Sequence, residues 1–179
     1  MKKVINVLLC ILLCVFLAGC SMMENASESN QMPQIVFNYS IEEHDGMVYE
    51  YFIDYLGNVY YTNNREYHCH YKDFFEKYNS GKASQECELI KTIDVSILQE
   101  KYDLLQEMIR DGNNELVADE DVYAKPFGYD VKWWYGHYYD KEGNIVVESL
   151  WGESTSDYTS TDKRAKELVD WMNEVFEVE

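Results

Sequence analysis

The stretch YDVKWWYGHYYDKEGNIVVESLW, residues 129–151, alternates aromatic and polar groups, breaks at Asp140–Asn144, and resumes with β-branched residues. Tyr, Trp, Val and Ile are favoured on a pleated surface. Asp140 at the first turn position and Gly143 at the fourth suit a type I turn closed by a left-handed glycine. The segment therefore predicts a hairpin with strands over 129–139 and 145–151. Its period of two puts Tyr129, Val131, Trp133, Tyr135, His137 and Tyr139 on one face. Trp134 and Tyr138 fall on the other, with Gly136 leaving a gap between them.

The same Asp-x-x-Gly-Asn frame stands earlier, at Asp54-Tyr55-Leu56-Gly57-Asn58, between strand patterns at 47–54 and 58–62. A further alternating run, QIVFNYS at 34–40, predicts one more strand ahead of them. The two hairpins are either an internal duplication or one turn type used twice. Helical patterns fall at Tyr71–Asn79, after Ser96, and at Asp162–Glu177. Ser96 with Gln99 makes a capping box for the second, whose buried face is Leu98, Tyr102, Leu105, Met108 and Ile109. The third carries an apolar stripe of Ala165, Leu168, Val169, Met172 and Val175, capped by Asp162 or Thr161. The fold class is α+β: a mostly antiparallel sheet of about five or six strands with two or three helices packed on one face.

Upstream of the strands, Ser21–Pro33 is polar and lacks aromatic and β-branched residues, as a flexible tether does. As a coil it reaches about 20 Å root-mean-square. Ahead of it, Lys2 and Lys3 precede an apolar run from Val4 to Leu17, which is the build of a secretory signal. The run ends in Leu17-Ala18-Gly19-Cys20. This resembles the lipobox of bacterial lipoproteins, whose invariant Cys carries diacylglycerol on its sulfur. The resemblance covers residues 1–20. It implies a signal peptide at 1–19, lipidated Cys20 and tether at 20–33, a single globular domain at 34–179, and attachment to the extracytoplasmic face of a cell membrane. An uncleaved transmembrane anchor needs about 20 apolar residues, more than the run supplies.

The chain has 33 Asp and Glu against 15 Lys and Arg, a formal charge of −18 that becomes −20 once Lys2 and Lys3 leave. That sign excludes binding to a nucleic-acid backbone. It also opposes electrostatic docking on anionic lipid. With Cys10 and Cys14 lost and Cys20 lipidated, Cys69 and Cys87 remain for a disulfide outside the cytoplasm, the alternative being two buried thiols.

Motifs for chemistry are sparse. His68-Cys69-His70 projects two imidazoles to one side of an extended chain, but His44 and His137 have no fixed relation to them, so no metal site is assigned. Ser160-Thr161-Asp162-Lys163 matches a serine-lysine tetrad without its companion elements, and helix capping accounts for it. The acidic run around Asp119-Glu120-Asp121 lacks EF-hand spacing and reads as a solvated loop. No catalytic residue or cofactor is assigned, and the reading leans away from an enzyme.

What remains is aromatic surface. With Trp133 and Tyr135 taken as core, Trp134 and Tyr138 form the candidate binding face, facing an envelope glycan or a protein partner. The expected function is a membrane-anchored, non-catalytic binding module. Two alternatives stand beside it: a small envelope hydrolase acting on glycan or peptide through carboxylates, and an acidic inhibitor or immunity-type lipoprotein that attracts a basic partner.

Overall fold

Both Asp-x-x-Gly-Asn segments form the same turn. Asp54 Oδ1 accepts from the amides of Leu56 (3.0 Å) and Asn58 (2.8 Å), and Oδ2 accepts from Asn58 Nδ2 (3.0 Å). Asp140 repeats these three bonds with Glu142 and Asn144. The carboxylates satisfy turn amides that the strands leave unpaired. Gly57 and Gly143 take φ of +80° and +81°, a region that costs glycine nothing.

The computed structural model describes residues 31–43, 47–63, 87–118, 130–154 and 156–178. The elements below lie in one compact unit, Met32–Glu179. The chain order is β1 (Ile35–Glu42), β2 (Val48–Asp54), β3 (Asn58–Thr62), β4 (Glu88–Thr92), α1 (Val95–Asp111), β5 (Leu116–Ala118), β6 (Val131–Tyr139), β7 (Ile145–Glu153), β8 (Asp157–Ser160) and α2 (Lys163–Phe176). The strands form one sheet in the order β4-β3-β2-β1-β6-β7-β8-β5. Every adjacent pair is antiparallel.

The α+β class and the antiparallel sheet match the sequence pattern. The strand number is eight, above the expected five or six. The additions are β4, β5 and β8, of three to five residues each. Strands this short at or near a sheet edge bury no continuous face, so they carry no alternation to read. The expected helix at Tyr71–Asn79 lies outside the described residues, as do His44, His68, Cys69, His70 and the Asp119–Asp121 loop.

Asp94, rather than Ser96, caps α1: its side chain accepts from Ser96 N at 2.8 Å. Gly112, at φ +66°, closes the helix by donating to the carbonyl of Ile109. Asp162 caps α2, and Ser160 and Thr161 tie that start to the loop leaving α1 through Asn114 and Asn113. Arg164 then joins the two helix ends by bonding both Asp162 and Asp111.

Both helices lie on one face of the sheet. Leu98, Tyr102, Leu105 and Met108 of α1 and the whole stripe of α2 share a single core with Phe37, Tyr39, Ile53, Val59 and Trp134. Leu105 of α1 packs over Gly136 of β6, where a Cβ would lie 2.7 Å from Leu105 Cδ2.

Strands β2 and β6 both run antiparallel to β1, hence parallel to each other, yet their hairpins open to opposite sides of it. A two-fold rotation about the direction of β1 keeps the strand direction, exchanges the two sides and turns the sheet over. The turns also face opposite layers: Phe52, two residues before Asp54, stands outside the helix-side core, whereas Tyr138, two before Asp140, packs against it. The two turns share one frame, on opposite layers of the sheet.

Trp134 is 3% exposed beneath α2. Trp134→Ala is expected to cost about 3–5 kcal/mol, lowering the melting temperature by roughly 10 °C for a domain of this size. Glu174→Ala, on the exposed side of the same helix, is expected to leave it unchanged. Thermal denaturation followed by circular dichroism compares the two.

Candidate functional site

The face of the sheet opposite the helices is also largely closed at its centre, and it is polar. Alternation brings Asn38 of β1, Glu50 of β2 and Tyr135 and His137 of β6 to that side. Asn38 and His137 are buried, at 1% and 0% exposure. Asn38 Nδ2 donates to Glu50 Oε1 at 2.9 Å, and Asn38 Oδ1 lies 2.7 Å from His137 Nε2. With the amide oriented so, its oxygen can only accept, and the imidazole must carry its proton on Nε2. Asn38 thus bridges an acid and a base that do not touch each other.

Burial moves both titratable groups toward their neutral forms. It pushes the Glu50 carboxyl up to about 7, against a smaller lowering by the Asn38 hydrogen bond. It pulls the His137 imidazole down to about 3. Tyr135, cross-strand from Asn38, is raised to about 12 by burial and by the nearby Glu50 charge. No neighbouring carboxylate contributes to the Glu50 shift. The coupled pair of acids that glycoside hydrolysis employs is therefore not what sets it.

Aromatic rings flank the polar centre. On the β3 side Phe52 and Tyr60 stack with centroids 5.1 Å apart and are buried. On the β8 side Trp133 stacks with Tyr135 at 6.2 Å and with Tyr158 at 5.7 Å, with interplanar angles of 21° and 26°. These three rings are half-buried. Trp133 lies flat across Gly152, where any Cβ would run into the six-membered ring of the indole. The three ring planes are thus nearly parallel.

The binding face expected at Trp134 and Tyr138 is on the wrong side of the sheet. Trp134 is core: its Nε1 donates to Asn173 Oδ1 of α2 at 2.8 Å, and its ring lies 4.6 Å from that of Tyr39. Tyr138 packs against the same core. Trp133 and Tyr135, expected in the core, are half-buried, as is Tyr138. Alternation determines which residues share a face, and Gly136 determines which face the helices take. Of the two remaining cysteines, Cys87 is buried just ahead of β4, while Cys69 lies outside the described residues. Cys20 lies outside them as well.

Asn38 and Glu50 were not singled out in the sequence, where each occupies an ordinary polar slot, and His137 was placed only on the face of Trp133 and Tyr135. A recess of about 400 Å³ beside α2, lined by Lys101, Lys163, Lys166 and Trp171 among others, is less suited to a ligand. Lys101 is paired with Glu167 and Lys166 with Asp170, which compensates the charge. No protein-family model, no curated protein and no solved structure matches the chain.

The buried acid and base make opposite contributions to stability. Glu50 titrates at about 7 folded against 4.5 unfolded, so its contribution is lost as pH rises through that window. His137 titrates at about 3 folded against 6.5 unfolded, so its contribution is lost as pH falls from 6.5 toward 3. Where the windows overlap, unfolding releases one proton from Glu50 and takes one up on His137, and the slopes cancel. Glu50→Gln leaves the His137 slope alone. Its melting temperature is expected to climb between about pH 4.5 and 6.5, by the equivalent of up to about 3 kcal/mol, relative to a flatter profile in the parent. Parallel profiles for the two proteins would refute a neutral Glu50.

Proposed function

We propose that this chain is a bacterial lipoprotein, held by Cys20 at the extracytoplasmic face of a membrane, whose domain is a non-catalytic binding module. The observation that carries the binding reading is Trp133 lying flat across Gly152 between Tyr135 and Tyr158, all three rings half-buried. Such a row suits the flat C–H face of a sugar ring, because the negative aromatic face attracts polarised C–H groups. An envelope glycan is thus the favoured ligand class. The lipobox resemblance supports that compartment, and the net charge of −18 argues against nucleic acid as a partner.

Co-sedimentation of the full chain with insoluble peptidoglycan tests this reading. Trp133→Ala is expected to weaken retention roughly three- to tenfold, the equivalent of one aromatic stacking contact. It should do so at unchanged melting temperature, because Trp133 lies outside the buried core. Glu50→Gln is expected to bind as the parent does. Retention that survives Trp133→Ala, or a glycan that is cleaved in a Glu50-dependent manner, would overturn the binding-module reading. Capture of a cationic protein that is abolished by high salt would instead support the acidic-inhibitor alternative. Membrane fractionation of Cys20→Ala, which is expected to be unlabelled by a palmitate analogue, tests the anchor separately.

A further inference from the structure

Both Asp-x-x-Gly-Asn turns stand at the same end of the sheet, because β2 and β6 run parallel to each other. Strand β1, antiparallel to both, begins there, so this is also the end at which the chain arrives from residue 32. The carbonyl of Gln34, just before β1, accepts from Tyr55 N in the first turn at 3.2 Å. The start of α1 is held there too, since Ile93 N donates to the carbonyl of Gly57 at 2.8 Å. This end carries five of the large exposed apolar side chains: Tyr55 (40%), Leu56 (52%), Val95 (46%), Ile97 (46%) and Ile145 (37%). Large apolar groups gathered at one end mark a contact surface rather than the scatter normal for a soluble face.

We infer that this pole is a second, shallow membrane contact, which seats the domain upright on the bilayer beside its lipid anchor. The inference rests on the proposed anchor at Cys20, because a tether leaving from the same pole turns that pole toward the lipid. Side chains on turns and a helix start are suited to insertion at the headgroup boundary, about 5–10 Å deep. The charges at the pole select the lipid. Asp94, Asp140 and Glu142 outnumber Lys141 there, so the contact belongs on a zwitterionic surface and weakens on an anionic one.

Tryptophan placed at the pole reads the contact directly. The lipidated full chain with Leu56→Trp, and separately with Val117→Trp, is bound to vesicles of phosphatidylcholine brominated on its acyl chains. Val117 is exposed on β5, against the far ends of β7 and β8. The added emission of Leu56→Trp is expected to fall by about half relative to unbrominated vesicles, and that of Val117→Trp to stay unchanged. Equal quenching at the two positions, or none at either, would overturn the proposal. The same pair in a Cys20→Ala chain, held to a nickel-chelating lipid by a polyhistidine tag ahead of Met1, reads the pole without the natural anchor. Failure of the lipidated chain to float with vesicles refutes the anchor. Failure of the tagged Leu56→Trp chain to quench refutes the pole.

Discussion

Leu105 of α1 sits over Gly136 of β6, and the absence of a side chain at that position decides how the whole sheet is used. A helix settles where the strand beneath it offers no Cβ, since close packing favours the shortest approach. Once Leu105 occupies that position, Trp134 and Tyr138 on either side of Gly136 must flank it and enter the core. The bond from Trp134 to Asn173 then extends the same decision to α2. Trp133, Tyr135 and His137 are left to the opposite layer. There a second glycine, Gly152, lets the Trp133 indole lie flat. Two glycines on neighbouring strands, facing opposite ways, assign the four-residue run Trp133–Gly136 to its two layers.

The layer opposite the helices keeps a polar centre at a cost in stability. An acid and a base buried near each other have two ways to be accommodated, as an ion pair or as two neutral groups. Asn38 stands between Glu50 and His137 and supplies one acceptor and one donor. That geometry satisfies the neutral forms without requiring charge transfer, and burial drives both groups the same way. At pH 7 His137 is neutral and Glu50 stands near the midpoint of its titration.

How far the sequence was legible follows from the range of each interaction. The turns were readable because Asp54 and Asp140 act within four residues, and Gly57 and Gly143 are the residues that such a turn requires. The α2 stripe was readable because one helix face records its own burial; all five stripe residues are buried. The cap of α1 was misplaced by two residues, since Asp94 and Ser96 are both good capping groups and only geometry selects Asp94. Which layer the helices cover depends on a contact between residues 105 and 136, and alternation along one strand contains nothing about it. Gly136 was the available signal, being a glycine in the middle of an aromatic strand, and it marks close approach rather than an empty gap. The polar trio was illegible because Asn38, Glu50 and His137 come from three strands.

The positions of the two proposed surfaces are related through the strands themselves. Trp133 lies near the start of β6 and Asp140 just past its end, so the ring row stands about 20 Å above the turn pole at the rise of an extended chain. If the pole rests on lipid, the row faces sideways at that height, at the end of the domain away from the bilayer. The tether from Ser21 to Pro33 reaches about as far by itself, so a chain held by the anchor alone would sample every orientation and offer its ring row to the membrane as readily as to a glycan. A few exposed apolar residues at the pole would need to supply only a small preference, because the proposed anchor would already remove most of the translational cost of meeting the surface. Orientation rather than added affinity is then what Tyr55, Leu56, Val95, Ile97 and Ile145 contribute, and their modest number is what that task requires.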